Sequence, residues 1–140
     1  QITGYYDYYW QTYALVLNHS GNIVLYGEVQ PPQKNHGYSG NDIPPENLRN
    51  GLPDGLKVGS IVKKGQHIGY VGQLRPLDTK TNKRYNFSDT MVHFEIYKGN
   101  ADGNLTQKEN KTFDNVTSKN YMRRRDLLNP TNVLDTMSDD

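Results

Sequence analysis

Thr90-Met91-Val92-His93-Phe94-Glu95-Ile96 is the stretch on which the fold of this chain turns. Apolar and polar side chains alternate along it, the period-2 signature of a β-strand. Successive strand residues point to opposite faces, so Val92, Phe94 and Ile96 share one face and Met91, His93 and Glu95 the other. The apolar face is expected to pack into a core. The other face then presents a thioether, an imidazole and a carboxylate in a row. Such a row suits the floor of a metal or acid–base site. A surface strand that happens to carry polar residues gives the same alternation.

Upstream, residues 13–19 and 23–29 read as two apolar strands joined at Ser20-Gly21-Asn22, a β-hairpin with a short Gly/Asn loop. Residues 30–55 carry Pro31-Pro32, Pro44-Pro45 and several glycines and read as one long Pro/Gly loop. In residues 55–72, Gly59, Gly65, Gly69 and Gly72 punctuate Val58, Ile61, Val62, Ile68 and Val71. That spacing predicts short, tightly folded strands, with glycine where φ is positive or backbones approach closely. It is not a phosphate loop, because the Gly-Lys-Ser/Thr ending is missing. Residues 73–89 read as a polar loop. Tyr5, Tyr6, Tyr8, Tyr9, Trp10 and Tyr13 crowd the first 13 residues. They fit an edge hairpin with exposed rings, or a surface facing a sugar or peptide.

Downstream, Arg123-Arg124-Arg125 reads as a solvated turn or a salt-bridged helix start. Asn129 is placed to cap a short helix with Pro130 at its first position. Residues 136–140 read as a frayed tail. The expected fold is mostly β: a small antiparallel sandwich or groove with long loops and a short C-terminal helix.

The bulk numbers set limits. A length of 140 residues suits one domain. Sixteen Lys and Arg against fifteen Asp and Glu leave a net charge of +1, which does not point to nucleic acid. No apolar run reaches 18 residues, so no membrane span is expected. There is no cysteine, which removes disulfides, thiolate zinc sites and a Cys nucleophile. The chain opens Gln-Ile-Thr-Gly-Tyr without an initiator Met, as expected of a processed product or the C-terminal part of a larger protein.

Three pieces follow one another in a telling order. The hairpin ends in Tyr26-Gly27-Glu28. The glycine-punctuated stretch runs Lys57-Val58-Gly59 through Lys64-Gly65-Gln66 to Gly69-Tyr70-Val71-Gly72. Met91-Val92-His93-Phe94-Glu95-Ile96 comes next, with Asn129-Pro130 near the end. This resembles the lysostaphin-type (LytM-like) zinc metalloendopeptidases, which cleave peptide cross-links in bacterial peptidoglycan. The resemblance covers roughly residues 10–29, 55–72, 90–97 and 123–135. It implies a β-sheet groove called a duplicated hybrid motif, with a lipoyl-like hairpin. It also implies a zinc ion held by a His-x-x-x-Asp motif and by the second His of a His-x-His strand, and His93 matches that second His.

Two departures from the family stand out. No His in this chain has an Asp four residues later, so the His-x-x-x-Asp part would come from upstream or from a separate fragment. Met91 stands where the family has the first His of His-x-His, and Glu28 where it has the His of a Tyr-x-His. A thioether cannot move a proton, whereas a carboxylate can act as a base. The resemblance therefore implies His93 as a zinc ligand, Glu28 as candidate base, and His19 and Tyr26 near the metal or substrate. Glu95 reads as a solvated glutamate; orienting His93 as a carboxylate partner is the alternative. The implied partner is the peptidoglycan peptide. The implied setting is extracytoplasmic, in the envelope or a phage virion, with other virion or envelope proteins as further partners.

Two other functions fit less fully. A non-catalytic structural or binding module of the same fold accommodates Met91 and Glu28. A lipoyl-like carrier shares the glycine-punctuated hairpin but lacks the usual Asp-Lys pair at its tip.

Overall fold

The computed structural model describes residues 1–31, 52–53, 55–105 and 123–134. Most of the 30–55 loop and all of the 136–140 tail lie outside them. The protein is mostly β. Strands β1 (Ile2–Asp7), β2 (Tyr13–His19), β3 (Asn22–Val29), β6 (His93–Tyr97) and β7 (Leu127–Leu128) form one antiparallel sheet in the order β1-β2-β3-β6-β7. β4 (Leu77–Asp78) and β5 (Lys83–Arg84) form a separate two-stranded hairpin within the expected 73–89 loop. A short helix, α1 (Pro130–Leu134), follows β7.

The β2–β3 hairpin forms where the sequence places it. Ser20 and Gly21 have φ of 51° and 95°, the two left-handed residues that match the twist of the flanking strands. Asn18 closes the turn by accepting the Gly21 N–H on Oδ1 at 3.0 Å. The N-cap also forms as expected: Asn129 Oδ1 accepts the Thr131 N–H at 3.0 Å, with Pro130 first in α1.

Tyr13 to Leu17 are all buried, so both faces of the sheet are covered. One core gathers Tyr8, Tyr9, Ala14, Val16, Leu25 and Tyr97 with Leu74 and Leu105. The other gathers Ile2, Tyr13, Leu15, Leu17 and Val29 with Leu52, and Leu56, Val62 and Ile68 pack against it. Each fully buried Leu or Ile here contributes about 1.5–3 kcal/mol. Double coverage corrects the expectation of one apolar and one polar face for the last long strand. That strand starts at His93 rather than Thr90; Met91 and Val92 precede it and are exposed, while Glu95 is buried.

Residues 55–72 differ from the expected short strands. They form turns closed by Ser60 N–H to Lys57 O and Gln66 N–H to Lys63 O, and meet the sheet at its two sides: Gly59 and Ser60 exchange backbone hydrogen bonds with Ile2 of β1, and Val71 bridges to Val29 of β3. Glycine spacing marks reversals of the chain, and turns and short strands share that spacing. Gly59 and Gly65 do have positive φ, at 100° and 81°. The N-terminal aromatics divide: Tyr6 is exposed, whereas Tyr8, Tyr9 and Tyr13 are core residues.

The arginine run is salt-bridged, but ahead of β7 rather than at a helix start. Arg124 is buried and forks onto Asp126 at 2.7 and 3.0 Å. The same carboxylate accepts the Gly99 N–H at 2.8 Å. Hydrogen bonding from Arg124 holds the Asp126 carboxyl below its ordinary range.

Candidate functional site

A register irregularity positions the site. Tyr13 pairs with Val29 while Leu15 pairs with Tyr26, so β3 uses three steps where β2 uses two. The surplus residue is absorbed at Gly27 and Glu28, and Glu28 has φ of 61°. This is a β-bulge, with a non-glycine residue held in left-handed backbone next to a functional candidate. Gly72 braces it: its N–H donates to Glu28 O at 2.8 Å, and a Cβ at Gly72 would lie 2.7 Å from Val29 O.

On the neighbouring strand Gly27 pairs with His93, which brings His93 level with the bulge. The Tyr8 ring lies against Gly27, where a Cβ would sit only 2.4 Å from the ring. It also approaches the His93 ring, with centroids 5.9 Å apart. Tyr9 packs edge-on against Tyr8 at 4.4 Å.

Behind His93 lies a buried polar cluster. His93 Nε2 meets Glu95 Oε1 at 2.7 Å, and Arg123 Nε donates to the same oxygen at 2.6 Å. The Tyr97 hydroxyl donates to the other oxygen, Oε2. Arg123 Nη2 donates to the Tyr9 hydroxyl at 3.2 Å. Burial pushes the Glu95 carboxyl up, but the hydrogen bonds from His93, Tyr97 and Arg123, with the Arg123 charge, outweigh it and hold the group below its ordinary range. Glu95 is therefore ionised at neutral pH and only accepts. The nitrogen facing it, His93 Nε2, is therefore the donor of that bond, and in the tautomer so fixed Nδ1 keeps its lone pair. Burial raises the Tyr97 hydroxyl, and the bond to Glu95 raises it further.

Glu28 is the opposite case. Its side chain is buried, and Oε2 has no hydrogen-bond partner among the described residues. Burial raises its carboxyl above the ordinary value, against a smaller opposing pull from His93. Two carboxylates thus influence one imidazole: Glu95 held charged, and Glu28 pushed toward the proton-bearing form.

The other sequence candidates fall elsewhere. His19 pairs with Asn22 at the turn end of the hairpin, five residues along β3 from Gly27 and so about 16 Å from the site. Tyr26 faces the other side of the sheet, against Phe94 at 5.4 Å. There, with Leu15, Val29, Ile68, Val71 and Val92, it lines an open apolar depression. Met91 lies just before β6 with 59% of its surface exposed. Glu95 is the buried partner of His93, and the solvated reading does not hold. Sequence reasoning did not single out Tyr97 or Arg123, although a Tyr two residues beyond Glu95 on the same strand face was a signal open to it.

Among the described residues no three His, Cys, Asp or Glu side chains converge on a point that would hold a metal. What the chain offers toward zinc is the lone pair of His93 Nδ1, backed by a carboxylate on Nε2, and the orphaned Glu28 oxygen. The first is the usual arrangement of a ligating histidine. The second is a polar atom that lacks a partner of the kind a bound cation or water supplies. Both are features that a bound cation would satisfy.

Comparisons with protein-family models, with curated proteins and with solved structures match this chain to none of them. Among the described residues no helix is long and apolar enough to cross a membrane.

Proposed function

We propose that this chain carries one wall of a zinc endopeptidase site of the lysostaphin type, acting on the peptide cross-links of peptidoglycan outside the cytoplasm, in a cell envelope or phage virion. The single observation that carries the proposal is the Glu95-backed His93 beside a buried Glu28 whose Oε2 has no partner among the described residues. His93 would be a ligand through Nδ1, with its ring fixed by Glu95. A zinc ion held there would supply Lewis-acid polarisation and acidify a water toward a pKa of about 7. Glu28, with its raised carboxyl, is suited to take a proton from a water attacking the peptide carbonyl and return it to the leaving amine. Met91 donates no hydrogen bond, so this chain would stabilise the oxyanion without an imidazole at that position.

The test is zinc content and release of cross-linked muropeptides by the longest natural form of the protein. His93→Ala should lose both. Glu28→Gln should keep the metal and lose most of the release. Release undiminished in His93→Ala would sink the proposal.

A second reading is a non-catalytic structural or binding module in a virion or envelope assembly. It is favoured by the Tyr8 ring, which fills the space over Gly27 beside His93. Peptidoglycan binding without muropeptide release would select it.

A further inference from the structure

We propose that Arg123 is a positioning residue for His93, acting through Glu95; the importance of that role rests on the reading of His93 given above. Three donors orient the Glu95 carboxylate, and two of them, His93 and Tyr97, belong to β6 itself. Among the described residues only Arg123 reaches it from another part of the fold, 28 residues along the chain. Its Nε and the His93 Nε2 converge on one oxygen, at 2.6 and 2.7 Å. Without Arg123, the carboxylate would be tied only to its own strand, free to tilt and to carry the imidazole with it.

Arg123 is built for this task. Its side chain is only 9% exposed, and its Nη2 is steadied by the Tyr9 hydroxyl at 3.2 Å. A guanidinium has donors and no acceptor, so the oxygen it binds remains an acceptor for His93. Its planar fork spans Glu95 and Tyr9 together, which a lysine ammonium, a single compact charge, does not reproduce. The chain of contacts runs Tyr9, Arg123, Glu95, His93. It ties the turn before β2 and the segment before β7 to one ring on β6.

The experiment is NMR of the ¹⁵N-labelled chain, following the His93 side-chain Nε2–H and the long-range couplings of its ring. The wild type should show one tautomer, with Nε2–H protected from exchange with water. Arg123→Gln should lose that protected resonance, and Arg123→Lys should recover it in part. A merely structural arginine would lower the unfolding temperature and leave the His93 resonance unmoved, and that result overturns the proposal. Should Arg123→Gln not fold, Tyr9→Phe decides in the same way: weaker protection supports the role, and wild-type protection overturns it. The measurement needs neither zinc nor substrate, so its outcome is independent of the muropeptide assay that tests the peptidase reading.

Discussion

Gly72 and Glu28 meet backbone to backbone: the Gly72 N–H donates to the Glu28 carbonyl at 2.8 Å, and a Cβ on Gly72 would stand 2.9 Å from that same oxygen. No side chain fits between them. Gly72→Ala should therefore push the 68–72 segment off β3 and loosen the bulge that carries Glu28. The expected loss is about 1–3 kcal/mol, the usual cost of forced overpacking. Urea unfolding measures it, and an unchanged midpoint would show that the segment moves aside freely.

Gly27, the residue before Glu28, is equally tight. A Cβ at Gly27 would stand 2.4 Å from the Tyr8 ring, so Gly27→Ala drives a methyl into space the ring already fills. The variant should lose about 1–3 kcal/mol. Tyr8→Ala in the same chain should relieve the clash, so the two changes should couple by about 0.5–3 kcal/mol in a double-mutant cycle. Simple additivity would mean that Tyr8 does not rest on Gly27 in solution.

Glu28 predicts a pH effect of definite sign. Its folded carboxyl is raised above the ordinary 4.5, so its contribution to stability is complete below that value and is lost as pH rises through the folded value. Glu28→Gln does not titrate. It should unfold at a higher temperature than wild type at neutral pH and converge with it below pH 4.5. Calorimetry across that range decides, and a constant offset at all pH values would rule out the burial effect.

Glu95 has the opposite sign. Its folded carboxyl is lowered, so its contribution is present above 4.5 and disappears as pH falls through the folded value. Asp126, lowered from 3.8, adds acid sensitivity of the same sign. Glu95→Ala leaves the buried Arg123 without its carboxylate and should cost about 3–5 kcal/mol. Glu95→Gln should flatten the acid limb of the stability profile. An acid limb identical to wild type would remove Glu95 as its source.

The parts of the fold legible in the sequence rest on local signals. Two apolar runs around a short Ser-Gly-Asn turn define the β2–β3 hairpin, and an Asn-Pro step caps α1. Glu28 and His93 were also legible as candidates, though on a resemblance of motifs. The setting of His93 was not legible. Arg123 lies 28 residues from Glu95 and 114 from Tyr9, and no periodicity links positions so far apart. Alternation misjudged Glu95 for a related reason. A polar residue on a strand reads as solvent-facing unless its partners are known, and here the charged partner, Arg123, comes from a segment 28 residues away.

The surplus residue in β3 separates chemistry from architecture. Tyr26 and Val29 both serve the core on the Leu15 side although they are three positions apart. The ladder thus keeps its pairing whatever side chain occupies the extra position between them. Glu28 sits at the position that stands outside the pairing, so an exchange there should leave the strand register on either side as it is. A sheet built in this way can change what it does by exchanging one residue, with no need to re-pair a strand.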